Sequence, residues 1–369
     1  MLKPLFEQLL ALTKAGLWGE SIETSLFEKE NIDWEEILIL SDQQTVTGIV
    51  TDAITLLPPN LRPSKSIYYL MLKRTDELEK ENKDMYQTIP SMVQYFSDKG
   101  IQVLLLKGQG VGLCYRNPYH RTSGDVDFFT GTDSANYEKA KSSFHELGIQ
   151  AVEEITHKKH IEYVVDGIKV EIHGDIQLPI GKQFDARFKS WMKNCLKTEN
   201  VIVKKAGKNN IYLPPYRFDV VFIFAHALHH YMMNGLGLRQ LCDWICYLTK
   251  YHERIDTNQL EKDLEYLGLT KFWKFFAAMA VEKLGMKKEL MPMYDGNNVH
   301  NDRILRHIFS TGNFGHLQKK RQNINDNKLW KKIKTFCGQF VLFWDNLLMF
   351  PKETWWCFKS FVINSIVRY

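Results

Sequence analysis

The chain has 369 residues, 44% of them hydrophobic and 25% charged, with a formal net charge of +5. That length accommodates two domains or one with extensions, and that composition excludes a disordered chain. The small basic excess, scattered in short clusters such as Lys319-Lys320-Arg321, favours anionic partners only weakly and argues against long nucleic acid.

The first twenty residues, MLKPLFEQLLALTKAGLWGE, carry Glu7 inside their apolar stretch and offer no small-residue cleavage site. They read as an amphipathic helix and not as a signal peptide. The cysteines at 114, 195, 242, 246, 337 and 357 form no CxxC pair, which argues against a structural zinc site and fits reduced thiols in the cytoplasm. Helical spacing continues through Trp34, Ile37, Leu38 and Leu40 and from Ile67 to Met92, broken at Pro58-Pro59 and Pro63. At Ile101 the texture changes. Residues 101–106 form a short apolar run that suits a buried strand entering the glycine-bearing turn Lys107-Gly108-Gln109-Gly110. A short helix from Val111 to Tyr115, a polar loop with Pro118 and Arg121, a strand Asp125–Phe129 and a helix Asn136–Leu147 follow.

Next comes a hairpin, His160–Val165 and Ile168–His173 around Asp166-Gly167, a pair that supplies the positive φ angles of a type I′ turn. Ile161, Tyr163 and Val165 share one face, as do Ile168, Val170 and Ile172, so Lys169, Glu171 and His173 point the other way, toward solvent. From Pro214 helices return, with His226, His229 and His230 on one of them and an aromatic run Phe272–Phe276 expected in the core. Phe336–Phe350, interrupted by Asp345 and stopped by Pro351, is too short to span a bilayer. Together with Trp355, Trp356, Phe358 and Phe361 it reads either as a helix pair closing the core or as a surface for a membrane or partner. The expected class is α+β: an N-terminal helical region at 1–98, a small mixed αβ core at 99–213 and a C-terminal helical domain at 214–369.

On a strand, residues two apart emerge on one face, so Asp125 and Asp127 project together while Val126 and Phe128 face the core. Two such carboxylates repel unless a cation lies between them. Oxygen ligands suit Mg²⁺ or Mn²⁺, and a third carboxylate, Glu171, allows a pair of metals that clamps an in-line displacement at phosphorus. The upstream turn lets backbone amides approach phosphate oxygens. The acid pairs Asp33/Glu35 and Asp263/Glu265 fall in helices, where that spacing splits them between faces.

Leu104-Leu105-Leu106-Lys107-Gly108, Tyr115, Pro118, Arg121 with Gly124-Asp125-Val126-Asp127-Phe128, and Val170-Glu171-Ile172-His173 together resemble the bacterial "uncharacterised nucleotidyltransferase" family of the polymerase-β superfamily. The resemblance extends more loosely to Trp34–Leu40 and to His226, His230, Leu238-Arg239 and Asp243. It implies a mixed sheet of about five strands, Asp125 and Asp127 on one strand and Glu171 on the next, and a triphosphate lined by Gly108 and its neighbours. Two positions depart from the pattern: Gln109 stands where a glycine or serine is usual, and Glu171 where an aspartate is usual. Phosphate contact would then fall to Lys107, Arg121 or backbone amides.

The function implied is transfer of an NMP unit from an NTP, ATP foremost, to a small-molecule or protein acceptor, with release of pyrophosphate. Asp125, Asp127 and Glu171 would be the catalytic and metal-binding acids, Glu171 also taking the acceptor's proton, with Lys107, Gly108, Gln109 and Arg121 at the nucleotide. The alternative is a protein on the same fold that binds nucleotide or a partner without catalysis; a kinase-like or hydrolytic enzyme is the third. His173 reads as an orienting partner of the third acid or as a core histidine. His226 and His230 read as hydrogen-bonded core residues before a zinc site, and Arg239 and Asp243, one turn apart, as a helix ion pair or part of an acceptor pocket.

Overall fold

The computed structural model describes residues 3–28, 32–155, 159–181, 183–233, 235–313, 343–344 and 346–367. The N-terminal region is helical: α1 (Pro4–Trp18), α2 (Ser25–Glu28), α3 (Trp34–Gln43), α4 (Thr47–Ile54) and the long α5 (Lys65–Asp98). Proline at the first turn starts α1, where its missing N–H costs nothing. α1 crosses α4 so closely that a Cβ on Gly16 would stand 1.9 Å from the Ile49 carbonyl oxygen. A single 3-10 turn, Pro59–Leu61, separates α4 from α5, as the prolines predict.

The central sheet has the order β1-β2-β5-β4-β3, built from β1 (Leu104–Leu106), β2 (Val126–Phe129), β3 (Glu153–Ile155), β4 (His160–Val165) and β5 (Ile168–His173). β2 and β5 run parallel and the remaining neighbours antiparallel, so the protein is of the α+β class with a mixed sheet. The hairpin has the bounds and turn expected: Asp166 has φ 51° and Gly167 φ 81°. The short helix α6 (Gly108–Gly112) begins directly after β1, and α7 (Ser134–Glu146) follows β2.

The two faces of the sheet differ. Leu105, Val126, Phe128, Ile161, Tyr163, Val170 and Ile172 are all buried against Ile89, Val93 and Phe96 of α5 and Tyr137 and Phe144 of α7. The opposite face carries Asp127, Glu171 and His173 among apolar Leu104, Leu106 and Phe129, which join the larger cluster of the helical regions. That cluster includes α9 (Tyr216–Met233), α10 (Leu238–Tyr251), α11 (Thr257–Leu267), α12 (Thr270–Leu284) and α13 (Asn301–Thr311) together with α1, α3 and α4. The N-terminal and C-terminal helices thus share one core, while the second half of α5 packs with the sheet. Phe272, Trp273, Phe275 and Phe276 are buried, as expected.

The sequence reading did not include β3, α8 (Phe184–Thr198) or a second hairpin, β6 (Ile202–Ala206) with β7 (Asn209–Leu213). The C-terminal aromatic segment lies largely outside the described residues. Of its described part, Phe350 stacks on Phe272 at 4.0 Å, whereas Trp344 and Trp355 are exposed. The last helix is α14 (Pro351–Val367), and among the described residues no helix is long and apolar enough to cross a membrane.

His120 ties this framework together just before the site loop. Its Nδ1 lies 2.8 Å from Asp52 of α4 and its Nε2 2.8 Å from Glu79 of α5. Burial alone would lower its pKa, but the two carboxylates outweigh it and raise it. A histidine whose folded pKa is raised contributes stability below its unfolded pKa and loses that contribution as pH rises through the folded value. His120→Ala should therefore cost about 1–3 kcal/mol at pH about 5.5, and clearly less at pH about 9, because the contribution of the charged bridge falls as pH rises. Urea unfolding at the two pH values checks this; a pH-independent difference would rule out the charged bridge.

Candidate active site

β2 begins one residue after Asp125, which stands at its mouth, and the side chain of Asp127 is almost completely buried on the face turned to α9. Asp127 sits beside Leu106 of β1 and Glu171 of β5 in the strand register. Its Oδ1 accepts from Lys107 Nζ at 3.2 Å and from His173 Nε2 at 2.8 Å. Burial would push its pKa up, but the lysine and the histidine outweigh it and hold the carboxyl below its ordinary range. Asp125 has no such partners among the described residues; burial first, and the Asp127 charge second, push it up to about 6. Two carboxylates this close repel, and a cation or a shared proton relieves that repulsion.

Glu171 differs from expectation in its surroundings. It faces the helical layer and not open solvent, and is only partly exposed. Its Oε2 accepts from His160 Nε2 at 2.9 Å and lies 3.3 Å from His173 Nε2. Against the cost of burial, these histidines hold its pKa far below the carboxylate range. Among the described residues, the group of three whose ligand atoms lie within 4.8 Å of one another is His160, Glu171 and His173; the three acids are not such a group.

The turn after β1 is strained. Lys107 has φ 41° and Gly108 φ 38°, and only the second is a conformation its residue adopts freely. Lys107 is held there by its ammonium, which donates to Asp127 and to His226 Nε2 at 3.3 Å. His226 Nε2 also lies 3.3 Å from His230 Nε2, so the two histidines hydrogen-bond within the buried layer. Burial, and next Lys107, push His226 well below the ordinary imidazole range, which leaves it a neutral acceptor.

Gln109 does not face the cavity. Its side chain is buried against Met85 of α5, and its carbonyl oxygen accepts from Tyr86 at 2.8 Å. The glutamine side chain packs in the core and does not reach toward a nucleotide in the cavity, in contrast to the expectation for it. Arg121, by contrast, lines the cavity, with its guanidinium held by neighbouring groups. Its Nε and Nη2 donate to the two oxygens of Asp243 at 2.6 and 2.8 Å, and its Nη1 donates to Ser123 and to the Thr122 carbonyl. Asp243 also accepts from Tyr115 at 2.6 Å. Arg239, expected to pair with Asp243 along the helix, instead donates Nη1 to the Thr122 carbonyl at 2.8 Å. Two arginines thus brace residues 122 and 123 immediately before the acids.

A cavity of about 320 Å³ has Lys107, Gly108, Arg121, Asp125, Asp127 and Glu171 in its wall, together with Arg239 and Asp243. Sequence reasoning missed His160 and the pairings of His226 and Asp243. The hairpin register contains His160, since a two-residue turn at 166–167 places it opposite His173. No local signal reveals the other two.

The sequence pattern of the family described as uncharacterised nucleotidyltransferase matches residues 30–285. No curated protein matches the chain. A solved structure with some likeness is that of an antigenic nucleotidyltransferase-like protein from Paracoccidioides brasiliensis, 14% identical, with a TM-score of 0.35 over 59% of this chain and 98% of that one. At that distance the likeness carries no inference. The family match spans more than half of the chain and takes in Lys107, Asp125, Asp127, Glu171 and Asp243, so this protein belongs to the uncharacterised nucleotidyltransferase family.

Proposed function

We propose that the protein transfers a nucleotidyl group from an NTP, ATP foremost, to a small-molecule or protein acceptor and releases pyrophosphate. The observation that carries this reading is the pair Asp125, half-buried, and Asp127, buried, opening beside Lys107 and the Gly108 turn into one cavity. In the step, an acceptor oxygen bonds to the α-phosphorus as the bond to the bridging oxygen breaks, and pyrophosphate leaves with that oxygen. Mg²⁺ or Mn²⁺ held by Asp125 and Asp127 would neutralise charge on the phosphates. Their donor set fits such an ion, because Asp125 keeps its charge only against burial and repulsion from Asp127. Lys107 supplies a positive charge at the same place, and Gly108 lets the backbone come close to phosphate oxygens.

Glu171 suits the role of proton acceptor poorly, because its two histidines make it a weak base. Asp125 is pushed up to about 6 without metal, which a bound cation would bring down again, so its role is that of a metal ligand. Arg121 acts through Asp243 as a positioning residue for the loop before the acids.

The test is thermal stabilisation of the purified protein by each NTP with Mg²⁺ or Mn²⁺, followed by assay of pyrophosphate with candidate acceptors. A ligand present at about 100 times its Kd stabilises by about 2.7 kcal/mol, a readily measured shift. That shift should vanish in Asp125→Asn/Asp127→Asn. Absence of any shift in the folded wild type would overturn the nucleotide site. Metal-dependent binding with no pyrophosphate across a broad acceptor panel would favour the non-catalytic binding protein, and release of ADP or orthophosphate would indicate phosphoryl chemistry.

A further inference from the structure

Glu171 borders two cavities, and the second, of about 310 Å³, is walled by histidines. His160 and His173 are direct cross-strand partners in the β4–β5 hairpin. Their rings stack with centroids 4.8 Å apart and planes at 28°, so both present Nε2 to the Glu171 carboxylate. His160 Nε2 lies 2.9 Å and His173 Nε2 3.3 Å from the same oxygen, Oε2.

We propose that His160, Glu171 and His173 form a binding site for a transition-metal ion of the zinc class, separate from the carboxylate pair Asp125 and Asp127. Two imidazoles and one carboxylate are the donors such ions select, whereas Mg²⁺ takes oxygen. Metal–ligand bonds of about 2.0–2.2 Å place neighbouring donors about 3–3.5 Å apart; both imidazoles stand close to that distance from the Glu171 oxygen, and all three ligand atoms lie within 4.8 Å of one another. Hydrogen bonding accounts for the cluster less completely. His173 Nε2 carries at most one proton, yet lies 2.8 Å from Asp127 and 3.3 Å from Glu171, while Glu171 Oε2 receives both imidazoles. A cation at the point of convergence uses all three atoms as lone-pair donors at once.

Three protein ligands leave a coordination position open, the arrangement of sites where the metal meets a water or a substrate. Here that position adjoins the second cavity, whose wall includes Ile176, Leu178, Phe222 and His226. Glu171, on the boundary of both cavities, would connect this ion to the acid pair. The site does not depend on nucleotidyl transfer being the reaction.

The experiment is titration of the chelator-treated full-length protein with Co²⁺, followed by visible absorption and equilibrium dialysis, in wild type, His160→Ala and Asp125→Asn. His160 is the residue to change because His173 also supports Asp127. Asp125→Asn, which disables the acid-pair site, should bind one equivalent with the d–d spectrum of nitrogen–oxygen ligation, and wild type should show the same spectrum at its first equivalent. His160→Ala should bind about 100-fold more weakly or less, since loss of even an outer partner costs about 10–100-fold. Circular dichroism verifies that the variant is folded, and His160→Gln, which keeps a donor for Glu171, replaces it otherwise. No Co²⁺ uptake by wild type, binding unchanged in the His160 variants, or binding lost in Asp125→Asn would each overturn the proposal.

Discussion

Arg121→Met should destabilise the protein by about 3–5 kcal/mol, the cost of stranding one member of a buried ion pair. Both partners are buried, and the guanidinium gives Asp243 two hydrogen bonds at 2.6 and 2.8 Å. Once the arginine is gone, the Tyr115 hydroxyl is the one hydrogen bond recorded for that carboxylate among the described residues. Arg121→Lys should fall short of rescue, because an ammonium is a point charge that cannot reproduce the fork. Arg121→Met/Asp243→Leu should recover much of the loss, since neither charge of the pair is left stranded, while Arg239 loses the nearby Asp243 charge. Urea unfolding of the three variants decides the matter: a single-variant loss below about 1 kcal/mol would show that the pair is not what holds α10 to the site loop.

The same pair transmits to the acids. Asn82 of α5 donates to the carbonyl oxygens of Tyr119 and Arg121 at 2.8 and 2.9 Å, and Arg239 grips the Thr122 carbonyl. Residues 119–123 are therefore fastened from α5 on one side and α10 on the other, and Asp125 follows two residues later. A double variant restored in stability but empty of the guanidinium should still bind divalent metal less well, because Arg121 also holds Ser123 at 2.9 Å.

What could be read from the sequence follows the range of the interaction. The β4–β5 hairpin was legible because its turn is made by adjacent residues: Asp166-Gly167 dictates both the pairing and the face on which Glu171 and His173 emerge. The buried Val126 and Phe128 followed from alternation alone. What lies on the far side of Glu171 did not, because alternation tells which face a residue occupies and not what covers that face. Solvent was expected there, and helix α9 is found, bringing His226 to Lys107 across 119 positions of chain. Arg121 and Asp243 are 122 positions apart, and a helix spacing that suggested Arg239 as partner was overruled by tertiary packing. Gln109 was placed at the phosphates by its position in the turn; the tight geometry at Lys107 and Gly108 swings it onto Met85 instead. β6 and β7 are short and carry polar residues on both faces, which left no clear alternation to read.

Asp125→Asn and Asp127→Asn should both lose transfer activity by about a thousandfold or more, the effect of removing several kcal/mol of charge stabilisation at the metal, yet they should move stability in opposite directions. Asp127 is the counter-ion of Lys107 and His173, so Asp127→Asn leaves two cationic groups in the interior and should cost about 2–4 kcal/mol. Asp125 has the reverse situation, a charge opposed by burial and by its neighbour. Without metal, Asp125→Asn should be more stable than wild type by about 1 kcal/mol. The pH dependence gives the sign. An acid whose folded pKa is raised penalises the folded state in full above that pKa, about 6 here, and the penalty disappears as pH falls toward its unfolded value. The advantage of Asp125→Asn should thus be present at pH about 7.5 and shrink at pH about 4.5. Added Mg²⁺ or Mn²⁺ should then reverse the order at neutral pH, because only wild type gains the binding energy of the ion. Equal destabilisation by the two substitutions in chelator would show that Asp125 and Asp127 do not share a repulsive pair, and with it would fall the argument that this end of β2 is built to receive a cation.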